Sequence, residues 1–175
     1  MRAVVVYESL WGNTARVARA LADELGRTMS VRVLDVESAP GTVEDYDLVV
    51  VGGPTHGFSM TRPSTRESAV SQNGAPRAPA VGIREWLARL PHISVPVMAV
   101  AFDTRVDTPR LPGSAAKAAR HELRSLGFDV AMKAKSFRVH GYEGPLVDGE
   151  LGRAVEWARE VEAVLRAATP PPAEK

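Results

Sequence analysis

Short apolar runs alternate along the chain with segments of helical periodicity. Residues 3–8, 47–53 and 95–102 are largely apolar, which is typical of parallel strands that are buried on both faces of a sheet. Residues 30–36 and 130–139 alternate apolar with polar or charged side chains, as strands at the edges of a sheet do. The pattern therefore predicts a sheet with three central strands and two edge strands.

Helical periodicity fills the intervals between these strands. It runs from the first strand to Gly26, returns at residues 83–90 and 115–126, and ends with a helix from about 149 to 168. This alternation predicts an α/β fold, in which a five-stranded parallel sheet is covered by helices on both faces to make a three-layer sandwich. With the first, third and fourth strands central and the second and fifth at the edges, the pattern matches the order 2-1-3-4-5 of a known doubly wound sheet, which is the order we predict.

We expect a single domain over residues 1–168. Residues 59–79 interrupt its pattern, because they are polar, include Arg, Ser, Thr and Pro, and show no clear periodicity. They are expected to form an irregular insertion loop. Residues 169–175 are rich in proline and are expected to form a disordered tail.

Composition narrows the possible chemistry. The 175 residues include no cysteine, which excludes disulfides, thiol catalysis and cysteine-ligated iron–sulfur clusters, so any redox role needs a bound cofactor. A net charge of +1 without a basic run gives no support for nucleic-acid binding, and four scattered histidines do not indicate a metal site. The sequence shows neither a membrane-spanning stretch nor a secretory signal, so we expect a cytoplasmic protein.

The turn after the first strand has the features of an anion site. It reads Ser9-Leu10-Trp11-Gly12-Asn13-Thr14, and a helix begins within it. The free N–H groups at a helix N-terminus carry a partial positive charge, and Gly12 lets the backbone approach a ligand closely. Because the turn has short hydrogen-bonding side chains but no Lys or Arg, it favours a phosphate monoester. The alternative is an ordinary strand-to-helix turn with Thr14 as the N-cap.

This turn resembles the phosphate loop of flavodoxins, Ser/Thr-x-Thr-Gly-x-Thr, with Trp11 where Thr is usual. Together with the predicted fold, it indicates a chain similar to the flavodoxin family, whose cofactor is FMN. The resemblance implies that the first loop holds the FMN phosphate and that the loops after strands three and four flank the isoalloxazine ring. The implied cofactor-binding residues are Ser9, Leu10, Trp11, Gly12, Asn13 and Thr14 in the first loop, Pro54, Thr55, His56, Gly57 and Phe58 in the second, and Phe102, Asp103, Thr104 and Arg105 in the third.

Four side chains of these loops are candidates to face the ring: Trp11, His56, Phe58 and Phe102. Flat or apolar surfaces suit a planar conjugated ring system. Structural interpretations stay open beside this one. Phe102 could belong to the core at the end of its strand, Trp11 could be a partly exposed cover, and His56 could be a loop residue bonded to the backbone.

Two residues would tune the redox potentials of the flavin. The resemblance implies that the Gly57 peptide offers an acceptor to flavin N5 on one-electron reduction, and glycine lets that carbonyl turn at low cost. Arg105 stands where flavodoxins usually carry acidic groups. A unit charge ~6 Å from the reduced ring, at an effective dielectric of ~20, is worth about 3 kcal/mol or about 120 mV. We therefore expect a less negative second potential than in acidic flavodoxins, unless Arg105 forms a surface ion pair with Asp103 or Asp107.

The function that the resemblance implies is an FMN-dependent electron carrier without catalytic residues of its own. Its flavin would cycle between oxidised, semiquinone and hydroquinone states and exchange electrons with redox partner proteins, a reductase and an acceptor. One alternative is a quinone or flavin reductase that uses NAD(P)H, with Arg62 and Arg66 binding a phosphate rather than keeping their loop solvated. A second alternative is a flavin-free interaction module on the same fold.

Overall fold

The structure, a computed structural model, describes residues 1–169 and contains one five-stranded parallel sheet. Its strands are β1 (Arg2–Tyr7), β2 (Ser30–Asp35), β3 (Leu48–Pro54), β4 (Met98–Val106) and β5 (Lys135–Val139). They lie in the order β2-β1-β3-β4-β5, which confirms the predicted fold class and strand order. The helices are α1 (Asn13–Leu25), α2 (Pro63–Asn73), α3 (Ile83–Arg89), α4 (Ala115–Ser125) and α5 (Glu150–Ala168).

Alternate side chains of the central strands contribute to two separate cores. In β1, Ala3 and Val5 pack in the core formed with α1 and α5, whereas Val4 and Val6 pack in the core formed with α3 and α4. This burial on both faces explains why the central strands are almost wholly apolar. Both cores lie on the same sheet, and we propose that they make the single predicted domain. No helix within residues 1–169 is both long enough and apolar enough to cross a membrane.

The segment predicted as an irregular insertion loop contains a helix, so that prediction is wrong for α2. The helix begins at Pro63, whose fixed φ suits a first helical position, and it ends before Gly74, which has φ +71°. Only Arg66 and Ala69 are buried in it, and for that reason it has no apolar stripe that would show as periodicity. Most of the predicted tail lies outside the described residues, which end at Thr169.

β4 continues through residues that were predicted to form the third loop. It pairs with β3 as far as Pro54 and with β5 as far as Val139, so residues 102–105 belong to the strand. Successive side chains in a strand point to opposite faces of the sheet. The four residues therefore divide between the two faces instead of gathering on one side.

Both β4 and β5 begin later than predicted. β4 starts at Met98, and Pro96 before it has no N–H to donate to a neighbouring strand. Before β5, Arg120 donates hydrogen bonds to the carbonyl groups of Met132 at 2.7 Å and Val130 at 3.0 Å. A side chain of α4 therefore engages these carbonyls, and β5 is confined to the last five residues of the predicted segment 130–139.

Candidate functional site

The turn between β1 and α1 is fixed in shape by one side chain and one glycine. Ser9 Oγ accepts hydrogen bonds from the N–H groups of Gly12 at 3.1 Å and Ala15 at 3.3 Å. Gly12 has φ +95°, a conformation that strains other residues. No atom of the described residues lies within 4 Å of the position that a Cβ would take there. The turn is thus held in place with open space beside Gly12.

The start of α1 offers main-chain donors. The N–H groups of Trp11, Asn13 and Thr14 have no hydrogen-bond acceptor within residues 1–169. The side chains are already engaged, because Asn13 Nδ2 donates to the Glu143 carbonyl at 3.0 Å and Thr14 Oγ1 shares a 2.7 Å hydrogen bond with Thr104 Oγ1. An anion at this turn would therefore meet main-chain N–H groups at the positive end of the helix dipole.

Three rings close the space between this turn and the ends of β3 and β5. The ring centroids of Trp11 and His56 are 5.6 Å apart, those of Trp11 and Tyr142 are 6.0 Å apart at an interplanar angle of 30°, and those of His56 and Tyr142 are 5.8 Å apart. Only about 20 Å³ of free volume remains where they meet the turn. Half-burial lowers the pKa of His56, so this ring is neutral at pH 7.

A larger cavity of about 300 Å³ opens on the other side of these rings. Its walls come from the loop after β3, from α2, from the segment that follows β4, and from Tyr142. The lining residues are Thr55, His56, Gly57, Phe58, Thr65, Ser68, Gln72, Asn73, Arg105, Val106, Leu111, Pro112 and Tyr142. This volume lies at the lower end of the range for small-molecule sites, and its walls combine apolar surfaces with a few polar groups.

Part of the sequence matches a known protein family. Residues 5–70 match the sequence model of the flavodoxin family, a segment that includes the turn after β1 and the loop after β3. This segment is flavodoxin-like. The predicted resemblance to the flavodoxin family is confirmed, while the third predicted loop and Tyr142 lie beyond the matched segment.

Solved structures agree with this assignment of the fold. Oxidised flavodoxin 1 from Bacillus cereus is similar with a TM-score of 0.70 at 17% identity, over 97% of this chain and 100% of that one. A WrbA-like flavodoxin from Agrobacterium tumefaciens is similar with a TM-score of 0.57 at 18% identity, over 96% of this chain and 99% of that one. The flavodiiron protein from Giardia intestinalis is similar with a TM-score of 0.58 at 20% identity, over 97% of this chain and 38% of that one.

Phe102 of the flavodoxin-like chain lies in the core, which corrects its prediction as a ring-facing residue. Its side chain is 1% exposed, and its ring centroid lies 6.0 Å from that of Phe137 and 6.3 Å from that of Trp157. It therefore points to the α1 and α5 side of the sheet and lines neither cavity. Phe102 therefore agrees with the alternative interpretation, in which it belongs to the core.

Asp103, the next residue, points to the opposite face and also lies away from both cavities. Its Oδ2 accepts hydrogen bonds from Thr55 Oγ1 at 2.9 Å, Ser114 Oγ at 2.5 Å and the Ala116 N–H at 3.1 Å. These bonds tie the end of β3 and the start of α4 to β4. The Asp103 side chain thus has a structural role, which is to join these three elements.

Arg105 does line both cavities. Its guanidinium donates to the carbonyl of Leu111, and within residues 1–169 it forms no ion pair with Asp103 or Asp107. The positive charge is therefore not neutralised by a carboxylate of the described chain. This is the condition under which the sequence predicted an effect of Arg105 on a bound flavin.

The predicted site residues thus fall into three groups. Eleven line one or both cavities: Leu10, Trp11, Asn13, Thr14, Pro54, Thr55, His56, Gly57, Phe58, Thr104 and Arg105. Ser9 and Gly12 shape the turn, whereas Phe102 and Asp103 lie elsewhere. Tyr142 was missed, although the loop after β5 leaves the same edge of a parallel sheet as the other three loops and could have been included for that reason.

A buried polar network lies beside the first turn, around Glu8. The carboxylate is 1% exposed and accepts hydrogen bonds from Thr61 Oγ1 at 2.5 Å and from the Ile83 N–H at 2.9 Å. Arg66 donates to Thr61 Oγ1 at 2.9 Å and to both carboxylate oxygens of Glu85 at 3.1 and 3.2 Å. Arg66 therefore presents its guanidinium to Thr61 and Glu85 inside the protein rather than to the surface.

This network shifts the pKa values of Glu8 and Glu85 in opposite directions. Burial raises the pKa of Glu8, although its bonds with Thr61 and Ile83 and the charge of Arg66 oppose that shift. Burial acts in the same sense on Glu85, but hydrogen bonds from Arg66 and the Gly82 N–H outweigh it and lower its pKa. Arg66 thus compensates Glu85 more completely than Glu8.

We expect Glu8 to make the protein less stable as the pH rises. Its ordinary pKa is 4.5 and its folded pKa is higher, so between these values the folded state binds more protons. Its contribution to stability is fully present below the unfolded pKa and is lost as the pH rises through the folded pKa. Glu8→Gln cannot titrate, so urea unfolding should show the variant gaining stability relative to wild type as the pH rises above 4.5. The exposed control Glu143→Gln should show no such trend, and a pH-independent difference for Glu8→Gln would contradict the prediction.

Proposed function

We propose that this protein binds FMN and carries electrons between partner proteins. The observation that carries the proposal is the set of unpaired main-chain N–H groups at the start of α1, at the same edge of the sheet as a 300 Å³ cavity. The family match and the fold support a flavin-binding electron-transfer protein, and the choice of FMN follows from a turn built for one phosphate. When bound, FMN would supply one-electron redox chemistry. The chain contains no cysteine, so it has no thiol or cysteine-ligated cluster that could do so.

The chain's own residues would divide the work of binding. The main chain of Trp11, Asn13 and Thr14 would donate to the phosphate, and the apolar side chains around the larger cavity would flank the ring. His56 and Tyr142 lie between these two ends. We expect these two rings and Trp11 to separate when the ligand binds, and the 47% exposure of Tyr142 leaves it free to move.

FMN titration of the purified full chain tests the proposal through quenching of flavin fluorescence. Gly12→Val should weaken FMN binding at least tenfold, because a β-branched residue at positive φ costs about 1–3 kcal/mol and its side chain would fill the open space that the phosphate needs beside the turn. Gly149→Val is the matched control: Gly149 has φ +87°, directly precedes α5 and has equally open space around it. Absence of FMN uptake by the wild type, or equal weakening by both variants, would refute the proposal.

The alternative function, an NAD(P)H-dependent reductase, was based on two arginines that could bind a phosphate, and only one of them is exposed. Arg66 is buried with Glu85, while Arg62 remains exposed at the start of α2. Steady-state oxidation of NADPH or NADH by the FMN-loaded protein with a quinone acceptor separates the two functions. Turnover that falls at least tenfold in Arg62→Ala would favour the reductase over the carrier.

Gly57 gives the first prediction about potentials. It has φ +64°, and a Cβ there would lie 2.9 Å from Thr65 Cγ2, so alanine both strains the backbone and crowds α2. If its peptide must turn on one-electron reduction, Gly57→Ala should make the first potential more negative by about 40–80 mV, equivalent to about 1–2 kcal/mol of strain. A redox titration measures this shift, and Gly74→Ala, with φ +71° at the end of α2, is the control. Unchanged one-electron potentials in Gly57→Ala would end this role.

Arg105 gives the second prediction about the redox potentials of the flavin. Its unneutralised charge at the edge of the cavity should stabilise the fully reduced, anionic flavin. We expect Arg105→Gln to make the second potential more negative by about 100 mV, while the exposed Arg89→Gln on α3 changes it by less than about 20 mV. A second potential unaffected by Arg105→Gln would show that this charge does not reach the flavin.

A further inference from the structure

A groove on the outer side of α4 is lined almost entirely by basic side chains. It has a volume of about 420 Å³, and its lining residues are Lys117, Arg120, His121, Arg124, Lys133 and Ala134. We refer to these six residues as the α4 basic groove. Four cations and a histidine therefore face one open surface, and no acidic residue lines it.

The cations of the α4 basic groove are not neutralised by the protein itself. Within residues 1–169, none of its lining residues forms an ion pair. Exposed arginines elsewhere do have partners, as in the pairs Arg159–Glu24 and Arg166–Glu162. Like charges that are gathered without a counter-charge repel one another, and an acidic partner would relieve that repulsion.

One member of the groove also fixes its shape. Arg120 donates to the carbonyl groups of Met132 and Val130, which holds the segment before β5 against α4. Lys133 follows directly on that segment. The groove is therefore a built surface between two elements, and the remaining cations project from a fixed base.

The groove begins beside the candidate FMN site. The first residue of α4, Ala115, donates its N–H to Thr55 Oγ1 at 2.8 Å, and Thr55 lines both cavities. Lys117 lies two residues further along, and Arg124 lies seven residues beyond it, about 10 Å along the helix axis. A single phosphate would not span this row of charges, whereas the surface of another protein would.

We propose that the α4 basic groove docks an acidic electron-transfer protein against the edge of the FMN site. The proposal rests on the proposed function, since it names the kind of partner that exchanges electrons there. Complementary charges at the rim of an interface raise the association rate and orient the encounter. Bound in this way, a reduced [2Fe–2S] ferredoxin would lose one electron from its cluster as the FMN-loaded protein gains it.

The test compares two triple variants that change the net charge equally. Lys117→Glu, Arg124→Glu and Lys133→Glu reverse the groove and leave Arg120 in place. Arg19→Glu, Arg27→Glu and Arg166→Glu reverse three exposed arginines on α1, just after it, and on α5, on the other face of the sheet. Stopped-flow mixing with an acidic reduced [2Fe–2S] ferredoxin gives the second-order rate constant of electron transfer to the FMN-loaded protein at low and high salt.

We expect the groove variant to be at least tenfold slower than wild type at low salt, and the control variant to stay within about threefold. The wild-type rate should fall at least tenfold between roughly 20 and 300 mM NaCl, and the groove variant should lose this dependence. Equal rates for the two triple variants would overturn the proposal. So would a groove variant that keeps its ferredoxin rate but loses binding of inorganic pyrophosphate or of a short DNA duplex.

Failure of the proposed function is recognised separately. Calorimetric titration of the oxidised ferredoxin into the protein without flavin measures docking alone, and affinity should again fall at least tenfold only in the groove variant. If the wild type takes up no FMN, the proposed function fails while this titration still decides whether the groove docks an acidic protein. Wild-type binding that is no weaker in the groove variant would refute the docking proposal whatever the outcome with FMN.

Discussion

Replacing Arg66 by alanine is expected to lower the free energy of unfolding by about 3–5 kcal/mol, the range for breaking a buried ion pair from one side. The Arg66 side chain is 2% exposed, and its guanidinium joins Thr61 to Glu85. Its removal leaves the carboxylates of Glu8 and Glu85 without a cation and opens space beneath Gly82. The largest part of the loss falls on Glu85, because both of its carboxylate oxygens accept hydrogen bonds from Arg66, whereas Glu8 keeps its bonds from Thr61 and Ile83.

Arg77→Ala is the matched control for this prediction. Arg77 also pairs with a glutamate, Glu37, but its side chain is 61% exposed. Exposed pairs of this kind contribute little, so we expect a loss of less than about 1 kcal/mol. Urea unfolding followed by circular dichroism measures both variants. Similar losses for the two would show that burial of the Arg66 network has no special weight.

NADPH affinity of the Arg66 variants separates a structural role from a ligand-binding one. Arg66→Lys keeps the charge but not the two-pronged contact with Glu85. Under the structural interpretation, both Arg66 variants lose stability while the NADPH affinity of the folded protein stays within about threefold. A selective loss of NADPH affinity without loss of stability would restore the phosphate-binding role that the sequence suggested.

The sequence predicted the sheet well, because burial on both faces leaves a direct record in composition. β1 and β3 are apolar at nearly every position since each side chain enters one of two cores, and β2 alternates because it lies at an edge. That contrast separates the central strands from the edge strands, and the order 2-1-3-4-5 is the doubly wound order that agrees with it. The turn at Gly12 was also recognisable, because a glycine at positive φ before a helix is a local feature.

The parts that were missed depend on contacts between distant residues. Nothing local marks Arg66 as buried, since its burial depends on Glu85, nineteen positions away. For the same reason α2 looked like a polar loop. Tyr142 joins Trp11 and His56 only through the fold, and the extension of β4 depends on pairing with Pro54 and Val139. Periodicity records the burial of a single element but not which elements meet.

Phe102→Ala is expected to cost about 3–5 kcal/mol of unfolding free energy, the range for removing a large buried aromatic side chain. The ring packs edge-on against Phe137 and Trp157, and it covers Gly52 of β3. A Cβ at Gly52 would lie 2.0 Å from Phe102 Cζ, so Gly52→Ala should itself cost about 1–3 kcal/mol through overpacking.

The two substitutions should be strongly non-additive. In the double variant the alanine at position 52 occupies space that the missing ring has left, so its loss should be smaller than the sum of the single losses by at least about 1 kcal/mol. Additive losses in urea unfolding would mean that the ring does not sit over Gly52. The milder Phe102→Leu keeps enough stability for FMN titration, and its dissociation constant should stay within about threefold of wild type, because the ring faces the core. A tenfold weaker affinity in Phe102→Leu with unchanged stability would instead return Phe102 to the flavin site.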